Sequence, residues 1–431
     1  MWNIAMNKKI PIYLNIANYI EKLILKQELS PHDALPSIRS MSEILSINKD
    51  TVVTAYHYLE NKGYVYKISG KGTYVKEFSD VEIESIDIVR NNYKFDFSQS
   101  IISTDYFPVE EFKESFDRVL MRDKGKAFSY HNSVGYEPLR IEIKKILHIQ
   151  GIDTQIENIM IISGAQQGID IVSRNLLQKN NHVFIENPTY KGAYHYFKSM
   201  GVKITGIPFL KNDLDIGKLE KELDWNSPKL IYTMPNFHNP TGISYSDESK
   251  KRILELAEKY DFYIIEDDYT NEINYGNEVT SLKSLDDCER VIYIKSFSKI
   301  LMPGLRVSYI VIPDRLIDGI ENIKAMTDIS TSGILQRTLA DFINSDNYIN
   351  HIDKINKVFK RKMDIVYRLI RDYMPKDVEV LMPNGGISFW VKLPEGIDAQ
   401  TLLKEAKKEN IIFNVGSDFY INKLLIDQTY I

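Results

Sequence analysis

Residues 293–311, YIKSFSKILMPGLRVSYIV, set Lys299 directly behind two hydroxyls, Ser296 and Ser298, and ahead of Arg306. Apolar, β-branched runs flank this group and read as buried strands. A lysine at the rim of a buried sheet is costly unless something offsets its charge. A second stretch, IIEDDYTNEINY, ends an apolar strand in Glu266, Asp267, Asp268 and Tyr269. Alone, these acids read as a metal site or a solvated loop, and no His or Cys cluster accompanies them to support a metal. Ser163-Gly164-Ala165-Gln166 turns a strand into a helix. Such a helix start can hold an anion, but alone the signal is weak and a plain strand-to-helix turn is the better reading. Tyr190, in ENPTYKGAY, follows another strand and alone reads as core. Asn239, in MPNFHNPTG, precedes Pro240 and alone reads as a turn residue.

The elements that must hold these residues are short apolar strands alternating with helical stretches from about Phe95 onward: NIMIISGA, HVFIENP, KLIYTMP, FYIIEDDY, RVIYIKSF and VSYIVIP. This alternation predicts an α/β domain with a mostly parallel sheet and helices on both faces. Ligands in open α/β sheets bind beyond the carboxyl ends of the strands. Every polar group singled out above sits at such an end.

The first 76 residues have another character. Ile16, Ile20, Leu23 and Ile24 recur at helical spacing, with Pro31 closing that helix. Ser37 opens a second helix whose Ile38, Met41, Ile44 and Leu45 are expected to face inward. Ser46 to Asn48 form a turn, and KDTVVTAYHYLENKG is a third helix closed by Gly63. YVYKISGKGTYVKE then reads as strand, Gly-Lys-Gly tip and strand. Two helices across a three-residue turn, followed by a hairpin, make a winged helix-turn-helix. Lys49, Asp50, Thr51 and Thr54 lie on the end that enters a major groove, while Arg39 and Lys71 can reach phosphates or groove edges. Residues 1–76 carry ten Lys and Arg against six Asp and Glu, and the rest carries 44 against 53. A basic head on an acidic body suits a polyanionic partner. Residues 77–94, polar with alternating acids, read as a linker between head and body (95–431). A single cysteine, Cys288, excludes an intrachain disulfide and suits a reducing compartment. With no signal peptide and no apolar run of roughly 20 residues, the expected location is the cytoplasm, away from membranes.

Taken in order, the helix-start turn, Tyr190, Asn239-Pro240-Thr241-Gly242, Asp267 with Tyr269, and Ser296-Phe297-Ser298-Lys299 with Arg306 resemble the fold-type I aminotransferases. The pieces LPSIRSMSEIL, INKDTVVTAYHYLENKGYV and GKGTYV resemble the winged head of the GntR regulators. Together they look like the MocR subfamily. The resemblance implies pyridoxal 5′-phosphate held by a Schiff base to Lys299, which requires a neutral amine in a partly desolvated site. It further implies Arg306, Ser296, Ser298 and the Ala165 and Gln166 amides on the phosphate, and Asp267 on the pyridinium nitrogen. Asn239 and Tyr269 would bind the phenolic oxygen, Tyr190 would stack on the ring, and Tyr130 would reach the phosphate of a partner subunit. Asp267→Asn is expected to weaken cofactor binding, and Asp268→Asn to be nearly silent toward it. In the head it implies Ser37, Arg39, Lys49, Thr51 and Lys71 on DNA. Lys49 stands where the family usually has arginine, which keeps the charge and loses the bidentate fork.

The implied function is a homodimeric regulator that binds double-stranded operator DNA. It senses the cofactor itself, or an amino compound forming an external aldimine with it. The alternative is a working aminotransferase with an accessory head. The family places a carboxylate-binding arginine in a late strand after a Tyr-Ile-like pair, and this chain reads LLIDQTYI up to Ile431. The expectation is a truncated C-terminal end, with no effector-carboxylate residue to name.

Overall fold

The computed structural model describes residues 2, 11–25, 28–30, 32–61, 64–68, 71–76, 93–276, 279–421 and 430–431. Pro31, Gly63, Gly70 and most of the expected linker lie outside them. Two compact units emerge, Met1–Val89 and Arg90–Ile431.

In the first unit, α1 (Ile12–Leu25), α2 (Ile38–Leu45) and α3 (Lys49–Asn61) precede a hairpin of β1 (Val65–Ile68) and β2 (Gly72–Val75). Ser37 caps α2 by accepting from the Ser40 amide at 3.1 Å. Ser46 ends α2 in the left-handed region, and Asn48 Oδ1 accepts from the Asp50 amide at the start of α3. Ile16, Ile20, Met41, Val52, Tyr56 and Leu59 form the core. Tyr56 reaches back to the Pro36 carbonyl at 2.7 Å, tying α3 to the approach to α2. The inward stripe of α2 differs from expectation: Ile44 is 50% exposed. With 3.6 residues per turn, Ile38, Met41 and Leu45 share a face, and Ile44 falls about 90° away from it.

The second unit begins with β3 (Phe95–Asp96), α4 (Val109–Asp123) and α5 (Glu137–Ile149). The main sheet and its helices follow: β4 (Ile159–Ile162), α6 (Ala165–Leu176), β5 (His182–Asn187), α7 (Lys191–Ser199), β6 (Lys203–Leu210), β7 (Asp213–Leu214), α8 (Ile216–Leu223), β8 (Leu230–Thr233), α9 (Asp247–Tyr260), β9 (Tyr263–Asp268), β10 (Val291–Ser296) and β11 (Ser308–Val311). Helices α10 (Ile317–Asp328), α11 (Gly333–Asn344) and α12 (Asp346–Tyr373) lead to a smaller region holding β12 (Glu379–Val380), β13 (Val391–Lys392), α13 (Ala399–Lys408) and β14 (Ile411–Ile412). The sheet order is β4-β11-β10-β9-β8-β5-β6-β7. Strands β6, β5, β8, β9 and β10 are parallel, while β11 pairs antiparallel with both β10 and β4, and β7 pairs antiparallel with β6. The sheet is therefore mostly parallel with two reversed strands.

Side chains alternate between two cores, as a period of two requires. Ile159, Ile161, Tyr293, Tyr309 and Val311 enter one, and Met160, Ile162, Ile292, Ile294 and Ile310 the other. β14 pairs parallel with β3, and Tyr430 bridges Lys392. Trp390 stacks on Tyr430 with centroids 5.0 Å apart. Among the described residues no helix is long and apolar enough to cross a membrane.

Candidate functional site

The carboxyl ends of β4, β5, β8, β9 and β10 and the start of the reversed β11 converge on one edge of the sheet. At the end of β4 the chain passes through Ser163 and Gly164 into α6, whose first residues are Ala165 and Gln166. Gly164 caps α6 without a side chain, at φ 111°. The Arg306 guanidinium lies against it: Nη2 donates to the Ser163 carbonyl at 2.9 Å, and a Cβ on Gly164 would sit 2.1 Å from that nitrogen. Only glycine permits both this backbone conformation and this approach. A helix N-terminus and a guanidinium at one point attract a phosphate.

Ser296 ends β10, and its Oγ accepts from the Ser298 amide at 3.2 Å and from Ser308 Oγ at 3.2 Å. This knits the Ser-Phe-Ser-Lys turn to the first residue of β11. Lys299 closes the turn half-buried, with its Nζ donating to the Ser100 carbonyl. Burial lowers its pKa, against the pull of the Asp267 charge. A neutral amine is thereby favoured, and a neutral amine is a nucleophile.

Asp267 and Asp268 point to opposite faces of β9. Asp267 is 4% exposed, and its Oδ2 accepts from the Tyr232 hydroxyl at 2.6 Å. Its Oδ1 is buried without a partner. Burial raises its pKa from 3.8 to about 6, with Tyr232 pulling the other way. Asp268 is committed to structure. Its Oδ2 accepts from Tyr293 at 2.5 Å and its Oδ1 from Lys295 at 2.8 Å, while Lys295 also pairs with Glu272 at 2.5 Å. Lys295 is fully buried; burial would lower its pKa, but Asp268 and Glu272 outweigh this and raise it. Asp268 therefore neutralises a buried cation on the face of β9 opposite Asp267. The alternation that separates the two acids was readable along FYIIEDDY.

Tyr190 precedes α7, packed on Gly192, where a Cβ would meet its ring at 2.5 Å. Its pKa is raised by burial and by Asp267 and lowered by Arg306, so its ring lies within the fields of both groups. Asn239 is half-buried on the loop after β8, beside a cis bond to Pro240. That loop is held by Glu186, which accepts from Thr233 Oγ1 at 2.8 Å and the Met234 amide at 2.7 Å. Tyr269 is buried and gives its proton to the Phe237 carbonyl at 2.7 Å. Tyr130 is 85% exposed. Sequence reasoning missed Tyr232 and Ser100. A tyrosine inside the apolar run KLIYTMP was the available signal for the first; a backbone carbonyl has none.

In the head, Arg39 is exposed and pairs with Glu43 at 3.0 Å, an exposed contact of little worth. Lys49 is exposed at the start of α3, Thr51 is half-buried two residues on in the first turn, and Lys71 is exposed on the turn between β1 and β2.

The profile of aminotransferase class I and II matches residues 91–425, and that of the bacterial regulatory proteins of the gntR family matches residues 12–75. The chain belongs to the aminotransferase class I and II family. With its GntR head, this family member is of the MocR type, a DNA-binding transcriptional regulator with a pyridoxal-phosphate-binding body. It is 30% identical to the uncharacterised HTH-type transcriptional regulator YdfD of Bacillus subtilis, over 95% of this chain and 90% of that one. It is 26% identical to the HTH-type transcriptional regulator NorG of Staphylococcus aureus, over 89% and 91% of the two chains. Among solved structures, the kynurenine aminotransferase of Pyrococcus horikoshii, in complex with PMP, superposes with a TM-score of 0.73 at 31% identity, covering 77% of this chain and 83% of that one. The cofactor of this class I and II body is pyridoxal 5′-phosphate.

Proposed function

We propose that this protein is a transcription regulator whose body holds pyridoxal 5′-phosphate at the sheet edge and answers to the cofactor or to an amino compound that reacts there. The observation that carries this reading is Asp267 Oδ1, a buried carboxylate oxygen with no partner. A protonated pyridine nitrogen is the kind of donor it lacks. The rest of the donor set fits the same group. Arg306, the α6 amides of Ala165 and Gln166, Ser296 and Ser298 would hold the phosphate. Tyr190 would cover the ring, and Asn239 would bind its phenolic oxygen; Tyr269 would join it by giving up the Phe237 carbonyl. Lys299 is the amine that would join the aldehyde, because the other lysine at this edge, Lys295, is tied up as a cation. When bound, the cofactor supplies an electron sink for an incoming amine.

In the head, Arg39, Lys49, Thr51, Lys71 and the Ser37 cap would meet DNA, with Arg39 released from its exposed pair to Glu43. We propose a homodimer, supported by the exposed Tyr130 and by the exposed side chains of Met121 and Phe128 near it in the sequence. Tyr130 would then serve the site of the partner subunit. As a DNA-bound regulator the protein works in the cytoplasm.

The test is binding of full-length protein to its own upstream DNA and to a scrambled duplex, with and without pyridoxal phosphate and a panel of amino acids. Preference for its own DNA, changed by cofactor or amine, is the expected result. Equal affinity for both duplexes, together with multiple turnover of an amino donor and a keto acceptor, would replace this reading with that of an aminotransferase.

A further inference from the structure

The body needs an ionised Asp267 in a place that disfavours ionisation. The carboxyl is almost wholly buried, and its own strand neighbour Asp268 and Glu186 on β5 add negative charge. The groups that favour the charged form are few. Lys295 on β10 acts across the strand, Lys299 lies beyond the end of β10, and Tyr232 on β8 makes the hydrogen bond. Tyr190 and Tyr269 also feel its charge. Of all these, Tyr232 alone donates directly to the carboxylate among the described residues.

We propose that Tyr232 is a positioning residue for the cofactor: its hydroxyl holds Asp267 Oδ2 in place, keeps the carboxylate charged, and leaves Oδ1 aimed at the ring nitrogen. Three observations support this. Tyr232 is fully buried, so water does not compete for its proton. Its phenol is held well above its usual pKa by burial and by Asp267, so it remains a donor across the working range. Its ring packs edge-on against Phe197 with centroids 6.0 Å apart, which fixes where the hydroxyl oxygen sits. A carboxylate with one oxygen anchored cannot turn to satisfy the other on a different neighbour. The orphaned Oδ1 is the consequence of that anchor.

The inference rests on the cofactor reading above, and the experiment separates the two. Tyr232→Phe removes one oxygen and keeps the packing. Losing a donor to the charged form raises the pKa of Asp267, by about one unit, or roughly tenfold in its proton affinity. Infrared difference spectra of the cofactor-free protein, titrated with pH and referenced to Asp267→Asn, report the carboxylic-acid band of Asp267 directly. That band should persist to higher pH in Tyr232→Phe. In parallel, the pH midpoint for pyridoxal phosphate binding should move up by the same amount, and the effect of Tyr232→Phe should vanish in an Asp267→Asn background. An infrared shift without cofactor binding in the wild type would keep the anchor and sink the cofactor site. An unchanged band, or an equal loss of affinity in the Asp267→Asn background, would overturn the proposal. Should Tyr232→Phe not fold, 3-fluorotyrosine at 232, a stronger donor, must lower the titration midpoint; no movement would be equally fatal.

Discussion

Replacing Asp268 with Asn leaves fully buried Lys295 with one carboxylate, Glu272, in place of two. Removing a partner from a buried ion pair costs about 3–5 kcal/mol, and the surviving Glu272 holds the loss to about 3 kcal/mol at the low end of that range. Replacing Asp267 acts in the opposite direction. Its carboxyl titrates near 6 in the fold against a usual 3.8. A carboxyl with a raised folded pKa binds its proton more tightly when folded, so its ionised form destabilises the fold above pH 6. That cost fades as pH falls through 6 towards 3.8. The gap of about two units corresponds to about 3 kcal/mol. Asp267→Asn should therefore stabilise the cofactor-free body by up to about 3 kcal/mol at pH 8 and by almost nothing at pH 4. The same substitution should also cost the proposed charge-assisted hydrogen bond to the cofactor, about 1.5–3 kcal/mol, or roughly ten- to a hundredfold in affinity. The assay is denaturant unfolding of both variants at pH 8 and near pH 4, paired with titration of pyridoxal phosphate. The reasoning fails if Asp267→Asn destabilises the cofactor-free protein at pH 8. It fails also if the two variants lose cofactor affinity equally.

Lys299→Ala should abolish fixation of pyridoxal phosphate to the chain by borohydride, and a labelled peptide containing Lys295 would refute the assignment. Gly164→Ala places a methyl group on Arg306 and strains a backbone at positive φ, so cofactor affinity should fall about tenfold or more, measured by fluorescence titration. In the head, Lys49→Ala and Lys71→Ala should each lower the salt slope of DNA binding by about one unit. Arg39→Ala should weaken binding to the upstream DNA more than to a scrambled duplex, by about 1–3 kcal/mol; equal losses on both would remove Arg39 as a reading residue.

Much of this fold was legible because two different periods run through the chain. The spacing of Ile16, Ile20, Leu23 and Ile24 marks a helix, and all four are buried. The runs IMII and VIYIKS mark strands buried on both faces, and they are β4 and β10. Other features depend on partners far along the chain. Ile44 satisfied an apolar pattern, yet the helix turn carried it off the packed stripe. The reversal of β11 leaves no mark in VSYIVIP, because a strand buried on both faces looks alike in either direction.

The two lysines of IKSFSK show where a motif stops and geometry begins. Both lie in one short segment; Lys295 is fully buried and Lys299 half-buried. Lys295 lies opposite Asp268 in the register of β10 on β9, so β pairing delivers it to carboxylates and keeps it charged. Lys299 lies beyond the last strand residue, in a turn held by Ser296, where the pairing has ended. Its nearest polar partner is a carbonyl, which accepts a proton bond without adding a full charge. Burial then prevails and lowers its pKa. The length of β10 thus divides two chemically identical amines into a structural cation and a candidate nucleophile. A one-residue change of register would turn Lys295 away from Asp268 and bury a charge against the opposite core, which is why the pairing of β9 with β10 is as much a condition of the site as Lys299 itself.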